Sequence, residues 1–257
     1  MSDFISSEDR QASIVSLLSC QGRLSVAEIV EQFRVSEATA RRDLEALAEH
    51  GKLQRVRGGA LAIKQAPPEL PILQREQEQF FEKQRIGQVA AALVRDWETV
   101  FLGSGTTVLE VARNLRSRQN LTVITNSLPV MNTLANLPGI TLVALGGMLR
   151  PSELSFIGHI TEQALAEVRA DKVIIGVHAI SLEDGLTNDY LPETMTDRAI
   201  LKAGREVIVA ADHTKINAVA TAFLAPLTSI HAFVTDQQAP PDFVAALRER
   251  DITVHLA

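Results

Sequence analysis

Two sets of residues in this chain have the types and spacing to do chemistry. The first is Thr39, Arg41 and Arg42, gathered between Ser36 and Leu44. Carried on the first turns of a helix, an arginine can donate two hydrogen bonds to guanine, and a threonine can meet a phosphate or a thymine methyl, which is the chemistry of reading a major groove. The second set is dispersed: Gly103-Ser104-Gly105-Thr106-Thr107, Thr125-Asn126-Ser127, Gly146-Gly147 and Asp212-His213-Thr214-Lys215. A glycine turn opening a helix offers free backbone N–H groups and hydroxyls to an anion, and a lysine at the same rim adds an ammonium group. Brought together, these residues describe a pocket for a small, phosphorylated, hydroxyl-rich molecule.

The first set needs two helices and a turn. Ser25 can cap a helix carrying Val26, Ile29, Val30 and Phe33, a tight turn passes through Arg34 and Val35, and Ser36 can cap the next helix. On that second helix Ala40, Leu44 and Leu47 share a face, so Ala38, Arg42 and Glu45 point away from it, with Thr39 and Arg41 on the flanks. Gly51 is a natural helix stop, and residues 52–63 alternate into a strand, a turn at Gly58-Gly59 and a second strand, a basic wing. Residues 6–19 predict an opening helix whose Ile14, Leu17 and Leu18 complete a three-helix unit.

The second set needs strand ends that converge. Beyond about residue 80, apolar runs alternate with amphipathic stretches: helices over 84–94, 107–115, 128–137, 160–168, 193–203 and 242–250, and strands over 99–102, 121–124, 140–145, 172–176, 206–210, 230–234 and 252–256. Such alternation implies a mainly parallel sheet with helices on both faces, whose ligands sit beyond the carboxyl ends of the strands. Between the two patterns, Pro67, Pro68, Pro71 and the polar run Gln74–Gln79 read as a linker passing into a helix. The expected division is a winged helix-turn-helix over 1–63, a linker over 64–80 and a larger α/β domain over 81–257.

Composition sets bounds on partners. A hydrophobic content of 46% supports substantial cores, but a formal net charge of −6 is unusual for a protein that meets a polyanion. Residues 1–60 hold eight Lys or Arg against nine Asp or Glu, whereas residues 52–57 hold three basic residues and no acid. The positive charge is local, so one such unit should bind DNA weakly, and useful affinity calls for a homo-oligomer, dimer or tetramer. The single cysteine, Cys20, excludes an internal disulfide and a multi-cysteine metal site, and beside Leu17 and Leu18 it reads as a small buried hydrophobe. No run of about 18 apolar residues appears, and the opening MSDFISSEDRQ lacks a signal-peptide layout, so a cytoplasmic protein without a membrane partner is expected. No cofactor or metal is called for.

The run from Ser36 through Arg41-Arg42-Asp43-Leu44, then Gly51-Lys52 and Arg57-Gly58-Gly59-Ala60, resembles the winged helix-turn-helix of the DeoR family of bacterial sugar-metabolism regulators. The resemblance implies Ser36, Thr39, Arg41 and Arg42 as operator-reading and phosphate-contacting residues, and Arg55 and Arg57 as wing contacts, on a double-stranded DNA operator. Gly-Ser-Gly-Thr-Thr, Thr-Asn and Gly-Gly also stand in the order found in that family's sensor domain, which is related to the fold of ribose-5-phosphate isomerase and CoA transferases. The ligand contacts this implies are Gly105, Thr106, Thr107, Thr125, Asn126, Gly146, Gly147 and Lys215, and the expected effector is a sugar phosphate.

The chain departs from the family pattern at Gly103, where an Asp is common, at His178, where another Asp is common, and at Asp197, which replaces a Lys four residues after Glu193. One acid and one base are lost, and a histidine and an acid are gained. The reading is a DNA-binding regulator, a repressor of a carbohydrate-utilisation operon, and not an enzyme. The alternative is a sugar-phosphate isomerase-like enzyme fused to a DNA-binding module, with His178, Asp184, Glu193 and Lys215 as its acid and base types. A third reading makes the second domain an oligomerisation platform without a ligand.

Overall fold

A computed structural model of the chain describes residues 6–49, 52–62, 64–65 and 70–257, in two compact units, Met1–Gln65 and Ala66–Ala257. The expectations for Gly51 as a helix stop, Ile63 as a strand end, Pro67 and Pro68 in a linker and the Cys20 side chain lie outside the described residues.

In the first unit, helices Ser7–Gln21, Val26–Phe33 and Glu37–Glu49 surround a small antiparallel sheet. Ser25 starts the second helix through a capping box, accepting from the Glu28 N–H while the Glu28 carboxylate accepts from the Ser25 N–H at 2.6 Å. The turn passes through Arg34 in a left-handed conformation, φ 50°. Ser36 then accepts from the Thr39 N–H at 3.2 Å, the first-turn bond that opens the third helix. Strand Gly59–Ala62 pairs with Leu53–Val56 across the Gly58 turn and with Arg23–Ser25 on its other side. Ala40, Leu44 and Leu47 of the third helix are buried against Ile14, Leu18 and Ile29, each fully buried leucine contributing about 2 kcal/mol of apolar transfer.

The second unit is built on seven parallel strands, in spatial order Thr253–Leu256, Ala232–Thr235, Gly204–Ala210, Ala170–Ile175, Thr99–Leu102, Leu121–Thr125 and Ile140–Ala144. The central strands are apolar along their whole length because both faces are covered, one core gathering Phe101, Val173 and Val209 and the other Val100, Ile174 and Ile208. The chain runs outward in one direction from Thr99–Leu102 and in the other from Ala170–Ile175. These two strands are neighbours, so their carboxyl ends form the switch point at which such sheets leave a crevice.

Alternation found the seven strands within about two residues, but not the elements that close over that crevice. These are a hairpin of Met148–Arg150 with Ser155–Ile157, an antiparallel trio of Ala179–Ser181, Gly185–Asn188 and Ala222–Ala225, and a short helix, Ile72–Arg75. Their strands are only three or four residues long and carry no clear period, so pairing with distant partners is what defines them. No helix among the described residues is long and apolar enough to cross a membrane.

Candidate functional site

On the first unit, the third helix presents Ser36, Arg41 and Arg42 to solvent, with Thr39 half-buried beside them. Arg41 is held by Glu37 one turn earlier at 2.5 Å, an exposed pair, whereas Arg42 has no ion-pair partner among the described residues. Arg57 is exposed at the wing tip, and half-buried Arg55 reaches across the turn, its Nη1 donating to the Gly59 carbonyl at 2.9 Å. The helix that carries these side chains is fixed from beneath by Asp43. Its carboxylate accepts from Arg10 Nε at 2.6 Å and from Gln11 Nε2 at 3.1 Å. Burial works to raise the Asp43 carboxyl, but hydrogen bonds from Arg10 and Gln11 and the Arg10 charge hold it below its ordinary value. A threonine and two arginines on this face, in front of a helix pinned through buried Asp43, can enter a groove without rearranging the unit.

On the second unit, a cavity opens at the switch point. Three strand ends line it: Ser104 to Thr107 after Thr99–Leu102, Gly176 to His178 after Ala170–Ile175, and Ala211, Asp212, Thr214 and Lys215 after Gly204–Ala210. Gly105, at φ 105°, is the N-cap of helix Thr106–Leu115 and supplies no side-chain cap, so the first-turn N–H groups have no helical partner. The Thr106 and Thr107 hydroxyls are nearly buried and make no hydrogen bond among the described residues. Lys215 lies in the turn His213–Lys215, which is held at two points. Asp212 accepts from the Thr214 N–H at 3.0 Å, and buried Asp236 accepts from the His213 N–H at 2.8 Å. Burial alone would raise the Asp236 carboxyl; the backbone N–H groups of His213 and Gln238, with the His213 ring, bring it below its ordinary value.

The opposite wall is acidic and polar. Glu193 accepts from Ser155 Oγ at 2.7 Å and pairs with Arg150, whose guanidinium lies 4.5 Å above the Tyr190 ring. Asn188 donates to Asp197 at 2.8 Å and accepts from the His178 N–H at 3.3 Å. So His178 and Asp197, two of the departures from the family pattern, meet in one wall. The third, Gly103, lies just before the glycine loop and donates its N–H to the Ile174 carbonyl at 2.9 Å. Two further cations, Arg75 and Lys83, complete the lining.

The structure brings Gly105, Thr106, Thr107 and Lys215 together. Thr125, Asn126, Gly146 and Gly147 do not line this cavity, because their strands lie on the far side of Thr99–Leu102 from the switch point. They order the neighbouring loops instead: Asn126 donates to the Phe156 carbonyl at 2.9 Å, and Thr161 to the Gly146 carbonyl at 2.9 Å. A Cβ at Gly147 would stand 2.1 Å from Thr161 Oγ1, which is why a glycine is needed there. The strand-end pattern missed Arg75, Lys83, Glu153 and Asn188. For Lys83 a signal existed: it occupies the same apolar register as Ile86, Gly87 and Ala90 of helix Phe80–Ala92, where a lysine has no business unless it is used.

The DeoR C terminal sensor domain matches residues 78–237, and the DeoR-like helix-turn-helix domain matches residues 10–66. The chain belongs to the DeoR family. It is a DNA-binding transcriptional regulator with a sensor domain. The transcriptional repressor AccR of Agrobacterium fabrum is 36% identical over 91% of this chain and 91% of its own length. The glycerol-3-phosphate regulon repressor of Escherichia coli is 33% identical over 96% of this chain and 98% of its own. The regulator IolR of Bacillus subtilis is 30% identical over 92% and 94%. Among solved structures, ribose 5-phosphate isomerase A of Methanocaldococcus jannaschii matches 54% of this chain and 55% of its own at 16% identity, with a TM-score of 0.40, too remote to inform chemistry.

Proposed function

We propose that this DeoR-family protein represses a carbohydrate-utilisation operon in the bacterial cytoplasm and that a sugar phosphate in the switch-point cavity changes its affinity for the operator. The observation that carries the reading is that cavity: an uncapped helix N-terminus, two unengaged threonine hydroxyls and Lys215 on one side, a wall of hydroxyl-accepting groups on the other, in the same chain as a helix exposing Arg41 and Arg42. The first side suits a phosphate and the second a polyol. The regulon named for the Escherichia coli relative, that of glycerol 3-phosphate, is consistent with this ligand class.

On this reading Ser36, Thr39, Arg41 and Arg42 contact the operator, Arg55 and Arg57 its backbone through the wing, and Gly105, Thr106, Thr107 and Lys215 the phosphate. Thr125, Asn126, Gly146 and Gly147 order the adjacent loops. A homo-oligomer presents paired reading helices, since one near-neutral winged unit has little affinity for DNA. The cavity reads as a binding site rather than a catalytic one: Glu193 is engaged by Arg150 and Ser155, and Asp184 is engaged by Ser181 and lies outside the lining, so neither carboxylate stands as a free general base.

The test is fluorescence anisotropy on the duplex upstream of the coding region, with and without sugar phosphates. Arg42→Ala is expected to lose about 1–3 kcal/mol of operator binding with an unchanged thermal midpoint. A sugar phosphate should shift the wild-type curve, and if every phosphorylated sugar tried leaves it in place, the effector reading fails. Turnover of any pentose or hexose phosphate would favour the isomerase-like alternative.

A further inference from the structure

The ionisable side chains around the cavity are not spread evenly. On the side of the glycine loop stand Arg75, Lys83 and Lys215 with two buried carboxylates. One is Glu153, whose Oε1 lies 3.8 Å from where a Cβ on Gly105 would stand, and the other is Asp212, whose charge acts on Lys83. Glu78 joins the lining from the exposed rim, where solvent screens it. The positive end of helix Thr106–Leu115 adds to this side. On the opposite wall the ionisable lining residues are His178, Glu193 and Asp197, and among the described residues no lysine or arginine lines the cavity from there. Glu193 is matched from outside the lining by Arg150, so the excess negative charge of this wall falls on Asp197.

Asp197 is set up to accept. Asn188 is fixed first: its Oδ1 accepts from the His178 N–H at 3.3 Å, so its Nδ2 is the end that donates, to Asp197 Oδ2 at 2.8 Å. That bond steadies a half-buried carboxylate on helix Leu191–Ala203 and takes one of its roughly four lone-pair sites. An ammonium group brings three donors and no acceptor, whereas a hydroxyl brings one donor and lone pairs that need donors of their own. Against a carboxylate the ammonium bond is charge-assisted on both partners and the stronger of the two.

We propose that the cavity's occupant is bipolar, a phosphate monoester whose other end carries a primary ammonium group, and that Asp197 selects it over the hydroxyl analogue. This rests on the reading of the glycine-loop side as a phosphate site and adds the chemistry of the opposite end. The cationic side takes the phosphate and the acidic wall takes the amine. An ester with a second anion in the amine's place meets the Asp197 charge and is turned away.

Calorimetric titration of the full-length protein near neutral pH tests this with two pairs of esters that differ in the amine: glucosamine 6-phosphate against glucose 6-phosphate, and 2-aminoethyl phosphate against 2-hydroxyethyl phosphate. The expected result is tighter binding of the amine, by about tenfold, in at least one pair, the factor for one charge-assisted hydrogen bond. In Asp197→Asn the ratio within that pair should fall to about one. No preference for the amine in either pair overturns the proposal while the phosphate site stands, and it does so whether or not the variant folds. A preference that survives in Asp197→Asn overturns it as well. If the wild type binds none of the four esters, the phosphate site itself is refuted, and the proposal with it.

Discussion

In the DNA-binding unit the charges are sorted: Asp43 is buried and paired with half-buried Arg10, while Arg41, Arg42 and Arg57 stand in solvent where a groove can meet them. In the sensor unit Arg75, Lys83, Glu153, Glu193 and Asp212 are all buried around the cavity, and each also holds a piece of backbone or a neighbouring side chain. A reading surface has to be rigid and ready, so its functional groups are separate from those that hold the fold. The sensor unit's charges instead hold the fold and line or border a cavity together, so a change in the cavity's contents acts on groups that the fold itself uses.

The comparison predicts that the largest loss of stability comes from the hidden charge beneath the reading helix. Asp43→Ala should destabilise the winged unit by about 1.5–3 kcal/mol, since it removes the acceptor of the Arg10 and Gln11 hydrogen bonds and leaves half-buried Arg10 without its ion-pair partner, and urea unfolding will read this. The native Asp43 carboxyl titrates below the unfolded value of 3.8, so its contribution is full above that pH and is lost as pH falls through the native value. Wild type and Asp43→Asn should accordingly converge in acid.

A cavity cation should behave differently. Lys215→Met is expected to keep the fold but to cut the affinity for phosphorylated sugars by about 1.5–3 kcal/mol, read as a smaller ligand-induced rise in thermal midpoint. A ligand shift equal to that of the wild type would remove Lys215 from the site. Smaller effects belong to the groups that shape the reading helix. Ser36→Ala should cost about 1 kcal/mol as a lost N-cap. Glu37→Gln should cost only about 0.3–0.5 kcal/mol, the worth of an exposed one-turn ion pair, and free Arg41 for DNA; circular dichroism and operator titration separate the two effects.

Much of the winged unit was legible because its instructions are local. Ser25 and Ser36 as caps, the apolar register of Ala40, Leu44 and Leu47, and the Gly58-Gly59 turn all act within a few residues of themselves. The Asp43 anchor was not legible, since its partner Arg10 is thirty-three residues away. In the sensor unit, alternation marked the sheet strands, and the glycine turn and Lys215 were legible as residues of one rim, where Gly105 and Lys215 line the same cavity. Alternation could not say which strand ends would meet.

By itself, then, the sequence determined the two kinds of unit, the face of the reading helix and the phosphate-suited loop, because periodicity, capping and turn chemistry are short-range. Only the tertiary structure decided that the ends of Thr99–Leu102, Ala170–Ile175 and Gly204–Ala210 share a cavity while Thr125-Asn126 and Gly146-Gly147 lie aside. It likewise decided that Arg75 and Lys83, in a stretch that reads as linker and surface helix, turn inward. The order of strands in a sheet and the burial of a lone cation are settled by packing between residues far apart in the chain, which no local pattern encodes.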